Sequence, residues 1–150
     1  VVKVNNRKVL NGVLDLVFGW QEADDDLQLS AVYDHLKNRD AVLRTIDKFD
    51  KVGVSGVREL LGKGRLDSSG AFIEGVGLSA DQIEPVIAFL TAKGNSNAET
   101  VANLERAVGS SISGLEGVDE LRQIAALLEA QGYLGDRIAI DPSVVRGLGY

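Results

Sequence analysis

The chain has 150 residues, of which 45% are hydrophobic and 25% charged, and its net charge is −6. These values are typical of a globular domain and exclude a disordered chain, while no apolar run reaches the roughly 18 residues of a membrane-spanning helix. Because the chain has no cysteine and one histidine, disulfides, a thiol nucleophile and a multi-histidine metal cage are excluded, and we assign no metal ligand.

The N-terminal stretch predicts a short strand followed by a helix. Residues 1–5 are rich in β-branched side chains, and the pair Asn5-Asn6 then stops the run and is suited to cap a helix. Apolar residues then recur at helical spacing, at Val9, Leu10, Val13, Leu14 and Val17. Gly19 is placed to end this helix.

The middle of the chain predicts further helices with one ambiguous segment. Residues 27–49 carry two apolar stripes interrupted at residues 37–40, which indicates either two helices or one helix with a phase change. Ser55 is suited to cap a short helix that Gly62 ends. Residues 65–77 are rich in glycine without the spacing of a phosphate-binding loop, and we expect a loop or a frayed helix.

The second half predicts three helices and a strand. Three pairs have the spacing of capping boxes: Ser79 with Gln82, Ser96 with Glu99, and Ser113 with Glu116. Pro85 should bend the first of these helices or move its start towards Glu84. Residues 137–140 alternate polar and apolar and predict a strand, Asp141-Pro142 a turn, and Val144-Val145 the start of another strand.

The C-terminal residues contain the most specific pattern in the chain. An apolar pair leads into Arg146, Gly147 and Leu148, and Tyr150 follows one residue later. This pattern resembles the histidine-specific signature of the histidyl-tRNA synthetases, generally written R-G-L-D-Y-Y. Gly149 departs from it, since the family generally has Asp there, and the second Tyr would fall just past the last residue.

A second resemblance to the same family lies at the other end of the chain. Residues 2–12, with an Asn-rich turn and the basic pair Arg7-Lys8, are similar to a strand-to-helix passage of these synthetases. We therefore interpret the chain as a segment of a larger protein in three parts. Residues 1–20 and 137–150 would be edges of a catalytic domain, and residues 21–136 a helical insertion. The expected fold is mainly α, a helical bundle with short strands at both termini from the parent catalytic sheet.

The resemblance implies a function for the whole protein. A class II aminoacyl-tRNA synthetase of this family is a cytoplasmic homodimer that uses ATP and Mg²⁺ to activate histidine and transfers it to its tRNA. It also implies that Arg146 contacts the substrate carboxylate and the α-phosphate region, and that Tyr150 helps to form the histidine pocket. We expect the isolated segment to be inactive, with ATP and the metal bound mainly outside it.

A basic stretch is the candidate tRNA interface. Residues 37–65 carry eight basic and four acidic residues, although the chain as a whole is acidic. The resemblance implies that a helical insertion lies against the acceptor arm of tRNA, where cations contact phosphates without reading sequence. The candidate residues are Arg39, Arg44, Lys48 and Lys51. The alternative is a solvated helix face with pairs four residues apart, such as Asp40 with Arg44.

Two other functions remain open from the sequence. One is a non-catalytic, synthetase-like regulatory subunit of histidine biosynthesis, although that paralogue generally lacks a large helical insertion. The other is a helical protein-interaction module whose end motifs are coincidental.

Overall fold

A computed structural model describes residues 2–19, 29–133 and 137–144, with the backbone alone for 29–36. Six helices and four short strands lie in these ranges, so the chain is mainly α, as predicted. The helices are α1 (Arg7–Phe18), α2 (Leu29–Asp47), α3 (Phe49–Leu61), α4 (Ala80–Leu90), α5 (Asn97–Val108) and α6 (Ile112–Ala130). The strands are β1 (Val2–Val4), β2 (Gly64–Leu66), β3 (Phe72–Glu74) and β4 (Ile138–Ile140).

Helix α1 lies at the centre of the helical body. Asn6 caps it by accepting a hydrogen bond from the Lys8 backbone N–H, and Gly19 ends it in the left-handed conformation. Its apolar stripe is buried against α4, α5 and α6. Because α1 shares this core with the later helices, no break in packing marks the predicted boundary at residue 20, and the three-part division stays a prediction.

Glycines allow α1 and α6 to approach closely. A Cβ added at Gly117 of α6 would lie 2.7 Å from the backbone nitrogen of Val9 and 2.8 Å from Oδ1 of Asn6. Gly12 of α1 similarly faces the backbone of Gly114. A side chain at these positions would have to push the two helix backbones apart.

The interruption predicted at residues 37–40 does not break the helix. Helix α2 runs through it and ends at Asp47, so the single-helix alternative is correct. Helix α3 contains a kink at Gly53, whose φ of 69° belongs to the left-handed region that favours glycine. It ends at Leu61, and Gly62 follows as predicted.

Residues 65–77 were predicted as a loop or a frayed helix, but residues 65–66 and 72–74 belong to strands. Strands β2 and β3 form an antiparallel hairpin in which Arg65 pairs with Ile73. The carboxylate of Asp67 accepts hydrogen bonds from the Ser69 N–H and hydroxyl and from the Ala71 N–H. These bonds form the turn and lower the pKa of Asp67, with the Ser69 hydroxyl as the largest cause.

Two of the three predicted capping boxes mark helix starts, and one is displaced. Ser79 and Gln82 form a full box, while Ser96 accepts from the Glu99 N–H. Helix α6 is capped by Ser111, not by the predicted Ser113, because the Ser111 hydroxyl accepts from the Gly114 N–H. Helix α4 starts at Ala80 with Pro85 inside it, so a start near Glu84 is wrong.

Candidate functional site

The two ends of the described chain form one parallel pair of strands. Val2 pairs with Ile138 and Val4 with Ile140. The Asp141 N–H donates to the Val4 carbonyl at 2.9 Å, which continues the pairing by one residue. Parallel strands are joined by a crossover connection, and here the whole helical body forms that crossover.

Asn5 connects the first end motif to the residues that precede the second. Its side-chain amide donates to the carbonyls of Pro142 and Val144, at 3.1 and 3.0 Å. The Asn-rich turn recognised in the sequence therefore holds the backbone immediately before the Arg-Gly-Leu motif. Arg146 and Tyr150, the predicted substrate-binding residues, lie outside the described residues.

Asp141 is a buried carboxylate at the end of β4. Its Oδ1 accepts from the Ser143 N–H at 3.0 Å and hydroxyl at 2.7 Å. Its Oδ2 lies 3.6 Å from Nζ of Lys3 and 3.7 Å from Nζ of Lys93, and its side chain is only 5% exposed. Burial alone would raise the pKa of Asp141, but the two Ser143 hydrogen bonds and the two lysines outweigh it, so the pKa lies below its ordinary value.

Three of the four predicted tRNA-binding cations lie along one edge of the α2–α3 junction. We call this the basic edge: Arg44, Lys48 and Lys51. Lys48 keeps a right-handed helical backbone, and the Val52 N–H donates to its carbonyl at 3.0 Å. The spacing of four and three residues therefore places the exposed side chains on the same face. Arg44 also pairs with Asp40 at 3.2 Å, as the alternative of a solvated face anticipated.

Arg39, the fourth predicted cation, faces the helical body. It is half-buried, and its guanidinium donates to the side-chain oxygen of Asn11 on α1. Burial lowers its pKa, the nearby Arg7 adds to this effect and Asp15 opposes it. Arg39 thus joins α1 and α2, and its predicted contact with tRNA stays a prediction.

A cleft brings the α2–α3 junction next to the paired strands. It has a volume of about 290 Å³, and its lining comes from the junction, from β1 and from the residues after β4: Ile46, Asp47, Phe49, Asp50, Lys3, Ser143 and Val144. The junction that carries the basic edge and the residues that lead to Arg146 therefore share one cleft. Within the ranges that the structure describes, no group of three or more acidic, histidine or cysteine side chains is placed to hold a metal ion.

Sequence reasoning missed the residues that hold β4. The side chain of Asn97 donates to the Ile138 carbonyl and accepts from the Ile140 N–H. The spacing of Asp141 and Ser143 is that of a side-chain-stabilised turn and was a usable signal. Asn97 and Lys93 gave no signal, because their partners are more than forty residues away in sequence.

The chain has relatives among known proteins along its whole length. Along all 150 residues the chain is similar to aminoacyl-tRNA ligases. The relatives are histidine–tRNA ligases: that of Ruegeria pomeroyi is 64% identical, that of Paracoccus denitrificans 57% and that of Bartonella bacilliformis 46%. The chain is therefore homologous over its full length to a part of these ligases, which confirms the resemblance recognised at its two ends.

The alignment covers all of this chain but only 28% of the length of each of these three relatives. No family model and no solved structure matches the chain. Among the described residues no helix has the length and hydrophobicity needed to cross a membrane.

Proposed function

We propose that the chain is part of a histidine–tRNA ligase, in which residues 21–136 form a helical insertion between the catalytic-domain edges 1–20 and 137–150. The observation that carries this proposal is the parallel pairing of β1 with β4 in a chain similar throughout to such ligases. Two segments that are far apart in sequence become neighbours in one sheet, as expected where a helical body is inserted between two strands.

The proposed activity of the full-length protein is histidine activation followed by transfer to tRNA. A carboxylate oxygen of histidine attacks the α-phosphorus of ATP, the bond to the β-phosphate oxygen breaks and pyrophosphate leaves. Negative charge accumulates between the two substrates, and the permanently cationic guanidinium of Arg146 would stabilise it. Mg²⁺ would add positive charge at the phosphates, and we assign its ligands and most ATP contacts to parts outside this chain. Tyr150 would contribute to the histidine pocket.

The residues before Arg146 support its assignment to a substrate site. Catalytic groups must be held within about 0.5 Å of their working position by rigid elements. Here β4 is paired with β1, Asp141 is buried and hydrogen-bonded, and Asn5 binds the Pro142 and Val144 carbonyls. An arginine on a solvated strand end would need no such support.

The proposed tRNA contact lies at the basic edge. Its exposed cations are suited to phosphate oxygens, and neighbouring residues of the same junction line the cleft that continues to residues 143–144. A nucleic-acid backbone bound there would lie close to the proposed site of chemistry. Arg39 would assist by fixing α2 against α1. We place the full-length protein in the cytoplasm as a homodimer, as the family resemblance implies.

The alternative functions have less support. The three relatives named above are ligases, which favours the synthetase over the regulatory paralogue. A free-standing interaction module would not require β1 to pair with β4, and these strands do pair.

The test is histidine-dependent pyrophosphate exchange by the full-length protein. Arg146→Ala should reduce the exchange rate by several orders of magnitude, because the charge that forms at the α-phosphate loses its cation. Arg106→Ala, which removes an exposed arginine of α5, is the matched control and should leave exchange within about twofold of wild type. Near wild-type exchange by Arg146→Ala would remove this residue from the chemistry.

A further inference from the structure

The connection between α4 and α5, residues 91–96, is held by hydrogen bonds along its length. The Gly94 N–H donates to the Thr100 hydroxyl at 2.9 Å, and the Asn95 N–H donates to the Glu99 carboxylate at 3.1 Å. The side chain of Asn103 donates to the Ala92 carbonyl at 2.9 Å. A connection with this many side-chain bonds to its own backbone has one preferred conformation.

This connection presents Asn97 to the outer edge of β4. The Asn97 amide donates to the Ile138 carbonyl at 3.0 Å, and its oxygen accepts from the Ile140 N–H at 2.9 Å. These are the two bonds that a neighbouring strand would make. One asparagine side chain therefore replaces a strand on this edge, while β1 occupies the other.

The same connection presents Lys93 to the end of β4. Nζ of Lys93 and Nζ of Lys3 both lie within 3.7 Å of Oδ2 of Asp141, whose other oxygen binds Ser143. Lys3 belongs to β1, so this buried carboxylate joins both strands and the helical body at one point. The residues 141–143 that lead towards Arg146 are fixed through it.

We propose that Lys93 and Asn97 are positioning residues, through which the helical body sets the placement of the segment that carries Arg146. This inference rests on the proposed function. Arg146 lies two positions after Val144 in the sequence, a reach of about 7 Å of extended chain. A shift of about 1 Å at β4 therefore reaches the reacting groups, and a displacement of that size lowers a rate by up to about 100-fold.

The test replaces Lys93, because it is half-exposed and its loss leaves Lys3 to neutralise Asp141. In the full-length ligase, Lys93→Met should lower kcat for histidine-dependent pyrophosphate exchange about 10-fold to 100-fold per active site, with a smaller change in the KM for ATP. Lys93→Arg should restore most of the rate, because it returns a cation to the carboxylate. The number of active sites is counted by the burst of adenylate formed in one turnover.

The matched control is Arg122→Met. Arg122 and Lys93 have the same side-chain exposure of 49%, but Arg122 pairs with Glu105 on α5 and with Asp119 on its own helix, both away from β4. The control should keep the wild-type rate per active site. A purely structural role for Lys93 would lower the number of active sites and leave the rate of each unchanged, and this result would overturn the inference.

The outcomes separate this inference from the proposed function. If Arg146→Ala abolishes exchange while Lys93→Met has the wild-type rate per active site, the ligase assignment stands and the positioning role fails. If Arg146→Ala also has no effect, Arg146 is not part of the chemistry and the positioning role fails with it. If the wild-type protein shows no histidine-dependent exchange, the proposed function fails.

Discussion

The hydrogen bonds of Asn97 give a prediction whose size can be worked from the structure. In Asn97→Ala the Ile140 N–H, in a residue only 1% exposed, loses its acceptor, and the Ile138 carbonyl, which is half-buried, loses a donor. A buried orphan donor costs about 1–3 kcal/mol, and the second, partly solvated bond about 0.5–1.5 kcal/mol. The free energy of unfolding should therefore fall by about 2–4 kcal/mol.

The assay is urea unfolding of the 150-residue chain followed by circular dichroism at the helical minimum. With a slope of about 2 kcal/mol per molar urea, the midpoint of Asn97→Ala should fall by about 1–2 M. Asn95→Ala, two residues earlier and exposed, is the control and should change the free energy by less than about 0.5 kcal/mol. Equal midpoints for the two variants would refute the account of how β4 is held.

Three further predictions concern packing, pH and tRNA. Gly117→Ala should destabilise the chain by about 1–3 kcal/mol in the same urea assay, because its Cβ would clash with the α1 backbone; an unchanged midpoint would show that the helices can separate freely. The pKa of Asp141 is lower in the folded chain than its ordinary value of 3.8, so its charge stabilises the fold above that pH. The stability advantage of wild type over Asp141→Asn should thus be constant from about pH 5 to 8 and shrink as the pH falls below 3.8; an advantage that grows in acid would contradict the sign. In the full-length ligase, charge reversal of the basic edge should raise the KM for tRNA and flatten its salt dependence by about one unit of slope per lost contact, with pyrophosphate exchange unchanged. An unaltered salt slope would leave the basic edge as solvated surface.

The helical architecture was predictable because its signals are local. The spacing of apolar residues predicted α1. Ser79 with Gln82 predicted the start of α4, because a capping box involves only four consecutive residues. The displaced start of α6 shows the limit of such signals. Ser111 and Ser113 both precede apolar residues, and the close approach of Gly114 to α1 accompanies capping at the earlier serine.

The hairpin was missed because its strands are three residues long and its turn depends on one side chain. Asp67 makes the bonds that define the turn, yet the surrounding glycines also fit a loop. Short strands bury little surface, so their apolar pattern is weak. Leu66 and Phe72 are exposed at 61% and 63%, and no alternation of buried and exposed residues was available to reveal them.

Candidate site residues could be named from the sequence, but the residues that hold the neighbouring backbone could not. The motif around Arg146 is recognised from contiguous residues. The contacts of Asn5, Lys93 and Asn97 with residues 138–144 join positions that are remote in sequence. Such contacts depend on the tertiary fold and cannot be predicted from local sequence patterns. The same holds for the contact between Arg39 and Asn11, which joins α2 to α1.

Strands β1 and β4 lie side by side although they come from opposite ends of the chain. Cysteine cross-linking measures this directly, because the chain has no cysteine of its own. Val2 and Ile138 are paired in register, which places their Cα atoms about 4.8 Å apart, within reach of a short dithiol cross-linker. Val2→Cys combined with Ile138→Cys should form an intramolecular cross-link in high yield in buffer and little in urea, and neither single variant should form one. A yield in buffer no higher than that in urea would show that the strands are not neighbours and would contradict the account.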